Sequence, residues 1–130
     1  MSITFRSSVI RTLLADVRAR APQEACGLLG AAGGDVCLVL PLTNALASPD
    51  RFRLDPREQF DSARLLRARG LDLVAIYHSH PHTDAVPSLE DRELARGVPH
   101  LQMIVSLVDP EPRLRLFEPE YRGERPLVVV

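Results

Sequence analysis

Leu73-Val74-Ala75-Ile76-Tyr77-His78-Ser79-His80 is the stretch on which the fold of this 130-residue chain turns. Leu73 to Tyr77 carries few polar atoms, and a short apolar run of that kind predicts a central strand covered on both faces. The strand ends in His78-Ser79-His80. Ser79 to Pro87, rich in Pro, His and Thr, reads as loop, and Ser88 opens a short helix to about Gly97.

On the C-terminal side, Leu101 to Val108 and Arg113 to Phe117 read as two strands with Asp109-Pro110 between them, and Leu127 to Val130 as a last edge strand. On the N-terminal side, Ala25 to Ala32 and Val36 to Leu42 flank Gly33-Gly34, the pattern of a hairpin. Phe52 and Leu54 alternate with Arg51, Arg53 and Asp55, which predicts a half-exposed strand, and Pro56 suits the first turn of a helix. Phe60, Ala63 and Leu66 give that helix an apolar face, and Gly70 ends it. Ser7 to Ala21 is a further helix, with Val9, Ile10, Leu13, Leu14 and Val17 at three- and four-residue spacing, a cap at Ser7 or Ser8, and Pro22 as its stop. Helices and strands alternate without repeats, low-complexity segments or a linker. The expectation is an α/β fold over residues 1–130, one domain with a single mixed β-sheet and flanking helices.

The chemistry that composition excludes is informative. The charge is balanced, with 16 basic and 17 acidic residues and no basic tract, which points to neither nucleic acid nor an anionic membrane. Every basic residue is Arg, so no lysine Schiff base and no P-loop lysine is available. Cys26 and Cys37 form no CxxC pair and read as buried free thiols in a reducing cytoplasm. The first residues lack the pattern of a signal peptide, and no apolar stretch approaches the ~20 residues that span a bilayer.

His78 and His80 lie two apart at a strand end, on one side of the strand and roughly 6–7 Å apart along it. Alone, such a pair is most often two surface histidines. Ser88 and Asp91 follow, and a Ser with an acidic residue three later is also a capping-box start, a complete structural account of both. Asp91 nevertheless faces the same strand end, and two His with one Asp make a three-ligand zinc set that leaves a fourth position open. Glu24, at the mouth of the apolar Ala25-Cys26-Gly27-Leu28-Leu29-Gly30 strand, is either a solvated end residue or the base such a site needs.

Taken together, Glu24, His78-Ser79-His80-Pro81, Pro87-Ser88 and Asp91 resemble the JAMM metalloprotease motif: a Glu, then His-x-His, seven residues, Ser, two residues, Asp. Pro41-Leu42-Thr43-Asn44, Phe52 and Asp55-Pro56 are similar to the middle of bacterial members. The resemblance implies the JAMM fold, related to that of cytidine deaminases. It implies one zinc ion per chain on His78, His80 and Asp91, with a catalytic water. Glu24 would take a proton from that water and pass it to the leaving amine, and Ser88 would donate to the oxyanion. For compact bacterial members it implies cleavage next to the C-terminal Gly-Gly of a ubiquitin-like or sulfur-carrier protein, at a peptide or isopeptide bond, by a monomer or homodimer. Ala75-Ile76 stand where many members carry Gly-Trp, and the chain is short for the insertions with which larger members grip a ubiquitin dimer. A non-catalytic scaffold of the same fold is the alternative. A nucleoside deaminase would need His-x-Glu and Pro-Cys-x-x-Cys, and both are missing. Of the remaining residues, His82 and His100 read as surface or structural histidines, Cys26 as a core thiol, and Phe52 and Arg53 as edge residues or flanks of a substrate groove.

Overall fold

A computed structural model describes residues 2–130. Among them one sheet of seven strands runs in the order β1-β3-β2-β4-β5-β6-β7. The strands are β1 Thr4–Phe5, β2 Cys26–Ala32, β3 Asp35–Leu42, β4 Asp72–His80, β5 Leu101–Ser106, β6 Arg113–Phe117 and β7 Glu124–Arg125. The helices are α1 Ser7–Arg20, α2 Pro56–Ala68 and α3 Leu89–Leu94. The mixed α/β sheet with flanking helices is as the sequence implies.

β4 is central, antiparallel to β2 and parallel to β5. It runs on through Ser79 and His80, which pair with Val105 and Ser106, so the loop starts at Pro81 rather than Ser79. The β2–β3 hairpin turns on Gly33 and Gly34 at φ 57° and 95°. Two positive φ values in succession are what a tight turn matched to strand twist requires, and glycine adopts them without strain.

Side chains divide the sheet into two faces. On one, Val9, Leu13 and Val17 of α1 pack with Leu29, Tyr77 and Met103. On the other, Leu28, Leu42 and Ile76 form a smaller cluster beneath α2 and α3, joined by Leu54 and Val98. That second face carries the histidines, since residues two apart on a strand share a side. α2 approaches it through Leu66, whose Cδ2 lies 2.6 Å from where a Cβ on Gly30 would sit. Glycine at position 30 leaves room for the tip of Leu66 against the sheet.

Four local expectations are corrected. α1 is not capped by Ser7 or Ser8: Arg6 stands at the N-cap without a side-chain bond. Instead the Ser7 amide donates to the Val130 carbonyl at 2.9 Å, so the chain end satisfies the helix start. Phe52 and Leu54 form no strand; only a single bridge joins Leu54 to Asn44. Their alternation has another cause, because Phe52 turns inward to the histidines. The apolar face of α2 is narrower than predicted, with Leu66 buried but Phe60 63% exposed. Leu127–Val130 contributes one parallel bridge, Val129 to Phe5, while the edge strand is the polar pair Glu124–Arg125, too short for any periodicity to mark. That bridge brings the chain just beyond β7 against β1, and so covers an edge that would otherwise present unpaired backbone groups. No described helix is long and apolar enough to cross a membrane, and Cys26 and Cys37 are free.

Candidate metal centre

β4 supplies His78 and His80 from its C-terminal end, both buried. α3 supplies Asp91. Its position follows from a capping box: the Asp91 amide donates to Ser88 Oγ at 2.9 Å, and the Ser88 amide donates to Asp91 Oδ2 at 3.0 Å. The structural and the chemical accounts of Ser88 and Asp91 are therefore compatible, since the cap that starts the helix aims the carboxylate at the histidines. The edges of the resulting triangle are His78 Nε2 to His80 Nε2 3.1 Å, His80 Nε2 to Asp91 Oδ2 3.0 Å and His78 Nε2 to Asp91 Oδ2 3.2 Å. Three ligands of a tetrahedral zinc with bonds of 2.0–2.1 Å are about 3.3 Å apart. The set fits the ion, with small relaxation.

The surroundings of each group set its protonation. The Asp84 carbonyl lies 2.7 Å from His80 Nδ1. Burial works against a charged His80, but hydrogen bonding to Asp91 and to the Asp84 carbonyl outweighs it and raises the pKa. As a metal ligand the ring would be neutral, with its proton on Nδ1 toward that carbonyl, the usual outer partner of a metal-bound imidazole. Burial lowers the pKa of His78, and neutral imidazole is the form that ligates. Burial works against ionisation of Asp91, but hydrogen bonding to His78 and His80 and to the Ser88 amide outweighs it and holds the carboxyl well below its usual range.

Glu24 comes to the triangle from the other side of the sheet opening. Its amide donates to the Ser48 carbonyl at 2.8 Å, and the next amide, Ala25, donates to Ser79 Oγ at 2.8 Å. The residue between the two histidines thus anchors the acid. Glu24 is only 3% exposed, and its Oε1 has no hydrogen-bond partner. Burial pushes its pKa up to about 8, with the attraction of His80 opposing the rise. A carboxyl so poised both accepts and releases a proton near neutrality. It shares with His80 and Ser88 a cleft of about 530 Å³ that also includes His82. The Ser88 hydroxyl, whose oxygen accepts from Asp91, keeps its own proton for donation.

Three residues support the site in ways the sequence does not spell out. Asn44 is a hub: its Nδ2 donates to the carbonyls of Glu24 at 3.1 Å and Arg51 at 2.9 Å, and its Oδ1 accepts from the amides of Leu46 and Arg53. Asp84 acts through its backbone, which any residue supplies. Phe52 is not a strand residue: with Arg53 it lines the hollow beside Asp91, and its ring stacks on His78 at 4.4 Å between centroids and 21° between planes. His78 Nδ1 is buried with no hydrogen-bond partner, so the aromatic face orients this ring where a hydrogen bond orients His80. Phe52→Leu keeps the apolar cover but removes the stacking partner. It is expected to weaken zinc binding about tenfold, within the range for lost outer-shell support, read by competition with a chromophoric chelator. An unchanged affinity would leave the ring as cover alone.

Other residues do not join the centre. Cys26 is buried and its thiol is pushed up to about 12 by burial, which removes it as a nucleophile. His100 lies in a separate hollow with Leu73 and Pro99.

Comparison with known proteins gives the family. The chain is 37% identical over 110 residues to the CysO-cysteine peptidase of Mycobacterium tuberculosis, covering 83% of this chain and 75% of that one. It is 41% identical over 93 residues to a probable TtuB-protein conjugate cleaving protease of Thermus thermophilus, covering 68% and 62%. The solution structure of protein DSY2949 from Desulfitobacterium hafniense superposes with a TM-score of 0.85 at 37% identity, over 98% of this chain and 91% of that one. Residues 6–118 match the family described as prokaryotic homologs of the JAB domain, and the chain belongs to that JAMM family.

Proposed function

We propose that the protein is a cytoplasmic zinc metallopeptidase that cleaves next to the C-terminal Gly-Gly of a ubiquitin-like or sulfur-carrier protein, at a peptide or isopeptide bond. The observation that carries the reading is the buried His78–His80–Asp91 triangle with edges of 3.0–3.2 Å, next to a buried acid with a free carboxyl oxygen. Relatives named as a CysO-cysteine peptidase and a conjugate-cleaving protease support the substrate class. Two unpaired cysteines support a reducing compartment.

In this reading His78, His80 and Asp91 hold the zinc. Bound zinc supplies a Lewis acid for the substrate carbonyl and acidifies water to a pKa of about 7. Glu24 takes the proton at Oε1 and returns it to the departing nitrogen, a shuttle matched to its raised pKa. The Ser88 hydroxyl donates to the oxygen that gains negative charge, a contribution of about 2.7–4 kcal/mol for a well-placed donor. A Gly-Gly terminus suits the cleft because glycine alone lets backbone approach buried side chains so closely. The protein works as a monomer or homodimer.

The test is incubation of the zinc-loaded protein with a carrier extended beyond its Gly-Gly. Expected are about one zinc per chain and release of the extension, with both lost in chelator and restored by added zinc. Zinc uptake without cleavage would overturn the substrate, and failure to take up zinc would overturn the centre.

A further inference from the structure

A second cavity, of about 300 Å³, lies on the same face of the sheet beside Asp91 and shares no lining residue with the Glu24 cleft. Leu54, Ile76, Leu94 and Val98 wall it, and Phe52 and Asp91 close it toward the histidines. Arg53 and Gln59 line its outer part, and besides Asp91 its one buried polar side chain is Gln102. Gln102, on β5, is 3% exposed and lines the cavity, yet its side chain forms no hydrogen bond among the described residues. Its amide faces the cavity rather than a protein partner, so its donors and acceptor are free for a ligand there.

We infer that this cavity is a specificity subsite in which Gln102 reads the substrate residue immediately before the Gly-Gly, selecting an aliphatic stem that ends in an uncharged amide or hydroxyl. The inference rests on the peptidase reading above for the orientation of the chain. Glu24, which protonates the departing nitrogen, lines the other cleft, so the leaving group occupies that side and the acyl segment crosses Asp91 into this cavity. Gln102 pairs with Ile76, and Ile76 is two residues back from His78 on β4. That is roughly 6–7 Å along the strand, the distance an extended chain covers in two residues. With glycine in the two positions nearest the cut, the next residue upstream is the first with a side chain, and it sits level with Gln102. The amide offers two donors and one acceptor, enough to hold a glutamine end-group in a reciprocal pair.

The experiment uses carrier proteins that end in X-Gly-Gly plus an extension, with X as Gln, Leu or Glu. Cleavage is measured with wild type, Gln102→Leu and Gln102→Met, and binding is measured by calorimetry in a Glu24→Gln background with and without the Gln102 changes. Zinc uptake equal to wild type shows that each variant folds. Wild type is expected to favour Gln over Leu about tenfold in kcat/KM, the order of one hydrogen bond's net contribution. Both Gln102 variants are expected to level or reverse that ranking. Cleavage with no ranking by X, or with a ranking that the Gln102 substitutions leave in place, overturns the subsite while the peptidase reading stands. Binding ranked by X and dependent on Gln102, without any cleavage, overturns the peptidase reading and supports the subsite. Neither cleavage nor binding overturns both.

Discussion

Glu24→Gln is expected to lower kcat by about 10²–10⁴-fold, the usual contribution of a positioned acid–base group, while zinc uptake stays as in wild type. Glutamine keeps the size and the buried position but neither accepts nor returns a proton. A comparable loss in kcat/KM places the lost interaction in the transition state rather than in binding. If the variant turned over at the wild-type rate, Glu24 would be the solvated strand-end residue that its sequence position alone permits. The same substitution has a second expected signature, in chelator-treated protein. Burial raises the Glu24 pKa from 4.5 to about 8 in the folded state. Between those values the folded chain binds more protons than the unfolded one, so stability falls as pH rises through the window. Chelator-treated wild type should therefore lose stability from pH 5 to pH 8 relative to Glu24→Gln, as followed by urea denaturation at several pH values. A constant difference across that range would show that Glu24 ionises as freely in the folded chain as in the unfolded one.

Asp91→Ala is expected to have the largest effect on metal, weakening zinc binding by more than about 100-fold, since loss of outer-shell partners alone costs 10–100-fold. It removes a ligand and also the acceptor for the Ser88 amide, at 3.0 Å, that closes the capping box of α3. The two effects separate by comparison with Ser88→Ala. That variant loses the bond from the Asp91 amide to Ser88 Oγ, at 2.9 Å. It should cost about 1 kcal/mol of stability, the usual value of an N-cap, and lower kcat, yet still bind zinc. Zinc affinity measured by chelator competition, together with denaturation in chelator, distinguishes the cases. Equal zinc affinity in Asp91→Ala and wild type would turn Asp91 back into a helix cap and remove the third ligand.

The exposed Leu89 and Val86, at 89% and 55%, lie on either side of Pro87-Ser88. Val86 lines the Glu24 cleft. The Arg51–Glu90 ion pair at 2.8 Å ties the loop that carries Phe52 to the start of α3. Both residues are exposed, so the pair adds little to stability. It does link the two segments that border the cleft.

Much of this architecture is local and therefore written in the chain order. The β2–β3 hairpin is legible because Gly33-Gly34 is a chemical requirement of its turn. β4 is legible because a run buried on both faces must be apolar, and α3 because Ser88 and Asp91 satisfy backbone groups within one turn. The spacing of His78, His80, Ser88 and Asp91 is likewise a matter of a strand end and the helix that follows it. What no local pattern holds is set by parts of the chain that are distant in sequence. The start of α1 is satisfied by the Val130 carbonyl, 123 residues away. Phe52 reads as an alternating strand residue and becomes the support of His78 only when Asn44 folds its loop back over the sheet. The exposed Phe60 reads as core because periodicity marks which residues share a helix face, but only the sheet beneath decides how much of that face it can cover. Glu24 and Gln102 depend most on tertiary structure. A carboxyl becomes a proton shuttle, and an amide becomes a reader, through the water that folding excludes around them, and that exclusion belongs to the assembled fold rather than to any segment of the sequence.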